Sequence, residues 1–114
     1  MLLIQHGTAP TPGRAEWESL PEEEKGRIFA EYQALGEDPR VTTGQRLQPP
    51  ETATTVRVQD ERTLTTDGPF VELKEAVGGW FFVDADDLDG AIEIASRIPA
   101  ARMGGAVEIR PLAG

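Results

Sequence analysis

Cysteine is missing from the 114-residue sequence, which excludes disulfides, iron–sulfur clusters and cysteine-ligated zinc and suits a reducing compartment. Histidine occurs once, as His6, so a transition-metal site would have to be built almost entirely from carboxylates. Cations are also scarce. Eleven Lys and Arg face twenty Asp and Glu, a net charge of −9, and that field repels phosphate backbones and anionic lipids. Neither nucleic acid nor a membrane surface is an expected partner. Aromatic residues make up only 6% of the chain, and no strand mixes them with basic residues as RNA-reading strands do. Long apolar runs are absent. The longest, at residues 80–83, falls far short of the roughly 20 residues that cross a bilayer. Met1 runs into LLIQ without a basic n-region or a signal-like segment. The expectation is a soluble, cytoplasmic protein with one domain over residues 1–114. A chain of this length can bury about two-thirds of its unfolded surface with no metal or cofactor to help.

Familiar ligand motifs are missing too. No Gly-x-Gly-x-x-Gly occurs, and TTGQRL lacks the Gly-Lys pair of a phosphate loop. DADDLDG has the look of a calcium loop. Counted from Asp84, however, its fifth position is Leu88 and its sixth is Asp89, where a ligand and a glycine are required. The cluster reads better as helix capping beside a solvated acidic edge. No metal and no cofactor is expected.

What is present is a sequence of alternating elements. MLLIQH reads as a strand buried on both faces. Residues 7–13, rich in Gly, Pro and Thr, make a loop. SLPEE begins a helix, with Ser19 and Glu22 spaced as a capping box and Pro21 in the first turn. Ile28, Phe29, Tyr32 and Leu35 form its apolar stripe, Gly36 its stop and Pro39 a block to continuation. Residues 41–47 read as a second strand, ended by Pro49 and Pro50. TTVRVQ and RTLTT follow as a hairpin; placing Val58 opposite Leu64 requires a three-residue loop at 60–62. VGGWFFVDA is another strand, with Trp80 and Phe82 on one face and Phe81 and Val83 on the other. Asp86, with Asp89 three positions on, can cap the next helix, whose stripe is Leu88, Ala91, Ile92, Ala95 and Ile98. AVEIRPL closes the chain as a strand, Val107 and Ile109 on one side and Glu108 and Arg110 on the other.

Setting the hairpin aside leaves βαββαβ, the α+β ferredoxin-like split βαβ arrangement with both helices on one sheet face. A sheet apolar on both faces then needs a second cover, and a second copy of the chain is the economical one. A homodimer is expected.

LQPPETATTVRV, TTDGPFVELKE, GGWFFVDADDLDGAIEIASRIP and AARMGGAVEIRPL, in this order and across almost the whole chain, resemble the DGPF subgroup of the YCII-related proteins. The resemblance implies a ferredoxin-like monomer that pairs sheet to sheet into a dimeric α+β barrel. Many members are bacterial proteins encoded beside extracytoplasmic-function sigma factors, so the resemblance also implies a bacterial protein and an association with sigma-factor-linked regulation. Some relatives in the wider group are thought to use a His–Asp pair in hydrolase-like chemistry. The first helix here carries no histidine, so no helix-borne His carries over.

Candidate site residues follow from chemistry and position. His6 ends the first strand and, with an ordinary pKa near neutrality, suits proton transfer; Asp67 could orient it or act as a base. In DGPF itself, Asp67 and Gly68 equally make a turn, Pro69 ends pairing and Phe70 plugs an apolar gap. Glu72 and Lys74 alternate with Val71 and Leu73 and could anchor a polar ligand together with Phe70, or form a solvated pair. Arg46 and Arg102 could bind an anion, and Trp80 could line a pocket or fill a core. On this reading the protein is a small-molecule-binding or enzyme-like dimer; the other reading is a non-catalytic regulatory or interaction module.

Overall fold

A computed structural model of the chain describes residues 1–12, 15–68 and 77–113. Among them run β1 (Leu2–Gln5), α1 (Ala15–Glu18), α2 (Glu22–Glu37), β2 (Val41–Arg46), β3 (Thr54–Gln59), β4 (Arg62–Asp67), β5 (Val77–Val83), α3 (Leu88–Ser96) and β6 (Ala106–Ile109), with short 3-10 turns at Pro50–Thr52 and Pro99–Arg102. The fold is α+β, with antiparallel sheets and three helices.

Four strands form one sheet in the order β2-β5-β1-β6, every neighbour antiparallel. The pairings decide the faces. Leu2 lies opposite Phe81 and Ile109, and Ile4 opposite Gly79 and Val107. Leu2 and Ile4 are buried, in one cluster with Leu35 of α2 and Ile94, Ala95 and Ile98 from α3 and its end. Both long helices therefore cover the same face. The intervening β1 residues Leu3 and Gln5 are only half-buried, so β1 is sealed on one side, not on both as its continuous apolar run suggests. The opposite face carries Trp80 and Phe82, whose rings lie 5.0 Å apart, flanked by exposed Thr43, Gln45 and Glu108.

Local details depart from expectation where hydrogen bonds compete. The proposed capping box at Ser19 does not form. Ser19 Oγ donates backwards to the Glu16 carbonyl at 2.9 Å, closing the short α1. That helix buries Trp17 edge-on against Phe29 at 5.4 Å. α2 then starts beyond Pro21 with no side-chain cap. It also runs through Gly36 and stops at Asp38, whose carboxylate accepts from the Arg40 backbone N–H at 2.9 Å and from its guanidinium. Those bonds, with Arg97 reaching over from the end of α3, hold the Asp38 carboxyl far below the usual carboxylate range. α3 is capped by Asp87, not Asp86: Asp87 accepts from the Gly90 N–H at 2.8 Å. The helix presents Ala91, Ile94, Ala95 and Ile98 inward and leaves Leu88 and Ile92 exposed. Both stripes have helical spacing, i, i+3, i+4, i+7, and packing against β1 and α2 selects the one that contains Ile94.

The inserted hairpin is separate. Among the described residues β3 and β4 pair only with each other, as a two-stranded sheet. Val58 lies opposite Thr63 and Arg57 opposite Leu64, so the expected Val58–Leu64 pairing is one residue out. The loop has two residues, Asp60 and Glu61, both at positive φ (50° and 63°). This is the I′ turn, whose twist matches that of the strands, and the match outweighs the lack of glycine at Glu61. The radius of gyration is 16.0 Å, against about 13 Å for a compact chain of this length, in keeping with an arm that stands away from the body.

Candidate functional site

Antiparallel pairing brings the ends of β1 and β2 to the start of β5: Gln5 lies opposite Val77, and Arg46 opposite Gly79. Beyond that end the chain turns through Gly7 at φ 57°. A Cβ on Gly7 would sit 2.5 Å from the Gly104 carbonyl, and one on Gly105 would sit 2.2 Å from the Gln5 carbonyl. Only glycine permits this approach, and it fixes the loop after β1 against the turn before β6. Between that loop, α1 and the stretch after β2 lies a cleft of about 580 Å³, whose polar lining includes His6, Thr8, Glu16, Arg46, Gln48 and Glu51. Arg46 shares the side of Gly79 and Ile4, so its backbone position belongs to the helix-covered side of the sheet.

His6 is held by its packing. Its imidazole lies so close to Gly78 that a Cβ there would be 1.8 Å from His6 Cδ2. The Gly78 carbonyl beside it accepts the Leu47 N–H at 2.8 Å. Burial, and then the neighbouring Arg46 charge, push the His6 pKa down against the opposing pull of the Gly78 backbone. The ring is thus kept neutral at neutral pH. A neutral imidazole carries a lone pair on one of its two nitrogens. A neutral imidazole beside a guanidinium can take a proton from a molecule whose negative end the guanidinium holds. Among the described residues Arg46 has no salt-bridge partner, in contrast to Arg27, Arg40, Arg97, Arg102 and Arg110.

Of the candidates read from sequence, the structure brings His6 and Arg46 together. Asp67 is exposed at the end of β4 and is not part of the cleft lining. The turn after it follows backbone chemistry: Gly68 takes φ 99°, its N–H donates to Ala53 at 2.7 Å and its carbonyl accepts from Thr55 Oγ1 at 2.7 Å. Trp80 stands on the open sheet face beside Phe82. Arg102 makes a two-pronged contact with Glu31, at 2.6 and 2.8 Å. That contact, ahead of burial's opposing effect, lowers the Glu31 pKa. Phe70, Glu72 and Lys74 lie outside the described residues. Thr8, Glu16, Gln48 and Gly78 went unnoticed in the sequence. The one available signal was the Gly78-Gly79 pair inside a strand, a common mark of close approach. Among the described residues, no group of His, Asp or Glu side chains is arranged to hold a metal ion, and no helix is long and apolar enough to cross a membrane.

The model of the YCII-related domain matches residues 22–113. The match takes in Arg46, Asp67, Trp80 and Arg102 and starts after His6. An uncharacterised protein of Rhizobium meliloti (strain 1021) is 39% identical over 69 residues, which is 60% of this chain and 56% of that protein. The chain thus spans little more than half the length of the curated relative it matches.

Proposed function

The chain belongs to the YCII-related family, and we propose that it is a small-molecule-binding, enzyme-like member of the DGPF subgroup whose site is the cleft between His6 and Arg46. The observation that carries this reading is the neutral imidazole set in one cleft with a guanidinium that has no ion-pair partner among the described residues. Arg46 holds a negatively charged or polarised part of the ligand, and His6 accepts a proton from it. Nothing in this role calls for Trp80 or Arg102. Asp67 enters only if the ligand, or another chain, brings it to the cleft.

The finer architecture belongs to the same proposal. The strand order β2-β5-β1-β6, with two crossover helices on one face, favours a single ferredoxin-like domain. The Trp80–Phe82 pair on the uncovered face favours a homodimer closed sheet to sheet into an α+β barrel. A thermal-shift screen of metabolites against wild type, His6→Asn and Arg46→Met tests the site. Hits that stabilise wild type and neither variant support it; hits that stabilise all three equally would remove the cleft from consideration. Light scattering tests the assembly, and a mass of one chain at micromolar concentration counts against the barrel.

A second reading, a regulatory or interaction module linked to a sigma factor, draws on the exposed arm, where Val56 and Val58 are 58% and 67% accessible. Exposed apolar groups of this kind can mark a protein contact. Val56→Asp combined with Val58→Asp should then abolish association with the sigma factor while leaving ligand-induced stabilisation intact. If association survives the double substitution, the arm is not the contact.

A further inference from the structure

Arg46 and Glu16 line the cleft with opposite charges and do not pair with each other. Arg46 comes from the end of β2 and Glu16 from α1. Among the described residues neither side chain has an ion-pair partner within 4.0 Å. Elsewhere the chain pairs its arginines closely: Arg40 and Arg97 with Asp38, Arg27 and Arg102 with Glu31, Arg110 with Glu108. With 20 carboxylates for 11 cations, an arginine that keeps clear of a carboxylate in its own cleft leaves room between the two for something else.

Both charges spring from fixed points. The backbone of Arg46 is clamped opposite Gly79, and the next residue, Leu47, donates to Gly78. Glu16 precedes buried Trp17, which packs on Phe29, and the Glu16 carbonyl accepts from Ser19 Oγ. Leu47, Ala9 and Pro49 supply apolar wall between polar groups, as small-molecule sites commonly do.

We propose that the cleft takes a small zwitterion of the amino-acid type, its carboxylate on Arg46, its ammonium on Glu16 and its apolar part against Leu47 and Pro49. This rests on the cleft being a ligand site at all. A simple anion would meet Arg46 but also face the carboxylate of Glu16. A simple cation would meet Glu16 but face Arg46. A molecule that carries both charges satisfies both walls, and with no net charge it is indifferent to the −9 field of the chain. Its ammonium also offers protons that the His6 ring can accept as hydrogen bonds.

Calorimetric titration with matched sets tests the idea: each of several apolar amino acids, its deaminated acid and its decarboxylated amine (leucine, 4-methylpentanoate and 3-methylbutylamine form one set). At least one amino acid should bind about tenfold more tightly than either partner, the worth of one charge-assisted contact. Glu16→Gln should erase the advantage over the acid, weakening the amino acid and, with a repelling carboxylate gone, strengthening the acid; Arg46→Met should erase the advantage over the amine. Both side chains are exposed, so melting temperatures of the variants should match wild type. If the acid binds as well as the amino acid and still needs Arg46, the zwitterion is wrong and the cleft is an anion site. If no set binds but the metabolite screen yields a cleft-dependent ligand of another class, the zwitterion again falls and the ligand site stands. If both experiments are blank, both fall.

Discussion

The four-stranded sheet and the hairpin arm are built from similar sequence, yet they live by different physics. Each consists of antiparallel strands that carry β-branched residues. In the sheet, Leu2 and Ile4 press against Leu35, Ile94 and Ile98, all five buried. In the arm every residue of β4 and most of β3 is exposed, with hydrogen-bond pairing but, among the described residues, no core beneath it. Ladder bonds exchange water for backbone with modest net gain, whereas burial of apolar surface supplies most of the stabilisation. A two-stranded hairpin by itself is marginal in water. The body should therefore hold the stability of the molecule, and the arm should be poised for other contacts.

Substitutions can break this contrast. The largest effect should come from the body: Leu35→Ala or Ile94→Ala should cost about 2–5 kcal/mol in chemical denaturation. Val58→Ala in the arm should cost under about 0.5 kcal/mol. A loss above roughly 1.5 kcal/mol at Val58 would show that another chain covers the arm in solution, because burial of that size requires a partner. Next in size is the cap of α3. Asp87→Ala should lower stability by about 1 kcal/mol, and Asp86→Ala, which removes no cap, by a few tenths at most. Within the arm, Glu61→Gly should raise stability by up to about 1 kcal/mol, since it relieves a side chain held at φ 63°. No gain there would mean that the turn is not I′ in solution.

The smallest effect concerns pH. Burial and Arg46 lower the folded pKa of His6, so the folded state binds fewer protons than the unfolded state between the folded value and about 6.5. The stability due to neutral His6 is complete above about pH 6.5 and is lost as the pH falls through the folded value. His6→Asn should flatten that part of the melting-temperature profile. An unchanged profile would mean that His6 is more solvated than its packing against Gly78 implies.

Where the chain could be read and where it could not follows from the range of the forces involved. The strands at 2–5, 41–46, 77–83 and 106–109 and the long helices stand near their expected places, because period and composition act over a few residues. The face assignment of Trp80 and Phe82 against Phe81 and Val83 holds, since it needs only the pleat. The register of the arm was misjudged by one residue because turn twist, not side-chain preference, set the loop length. Ser19 and Asp86 looked like caps by spacing. Each neighbours another hydrogen-bonding group, and the contest is decided by backbone geometry. As for the site, His6 and Arg46 were among the candidates, but their meeting depends on β5 lying between β1 and β2. Glu16 drew no notice, because nothing local distinguishes it from the other glutamates nearby.

The amino-acid sequence by itself determined the kinds of element, their order, the acidic field and the exclusion of cysteine chemistry, all of which depend on residue identity and short-range spacing. The tertiary structure alone decided that one arginine would stand beside the single histidine, that Arg102 would be taken up by Glu31, and that the hairpin would stand apart. Those outcomes join residues forty to seventy positions apart, such as His6 with Arg46 and Glu31 with Arg102, and only strand order and helix packing can bring such distances to a few ångströms.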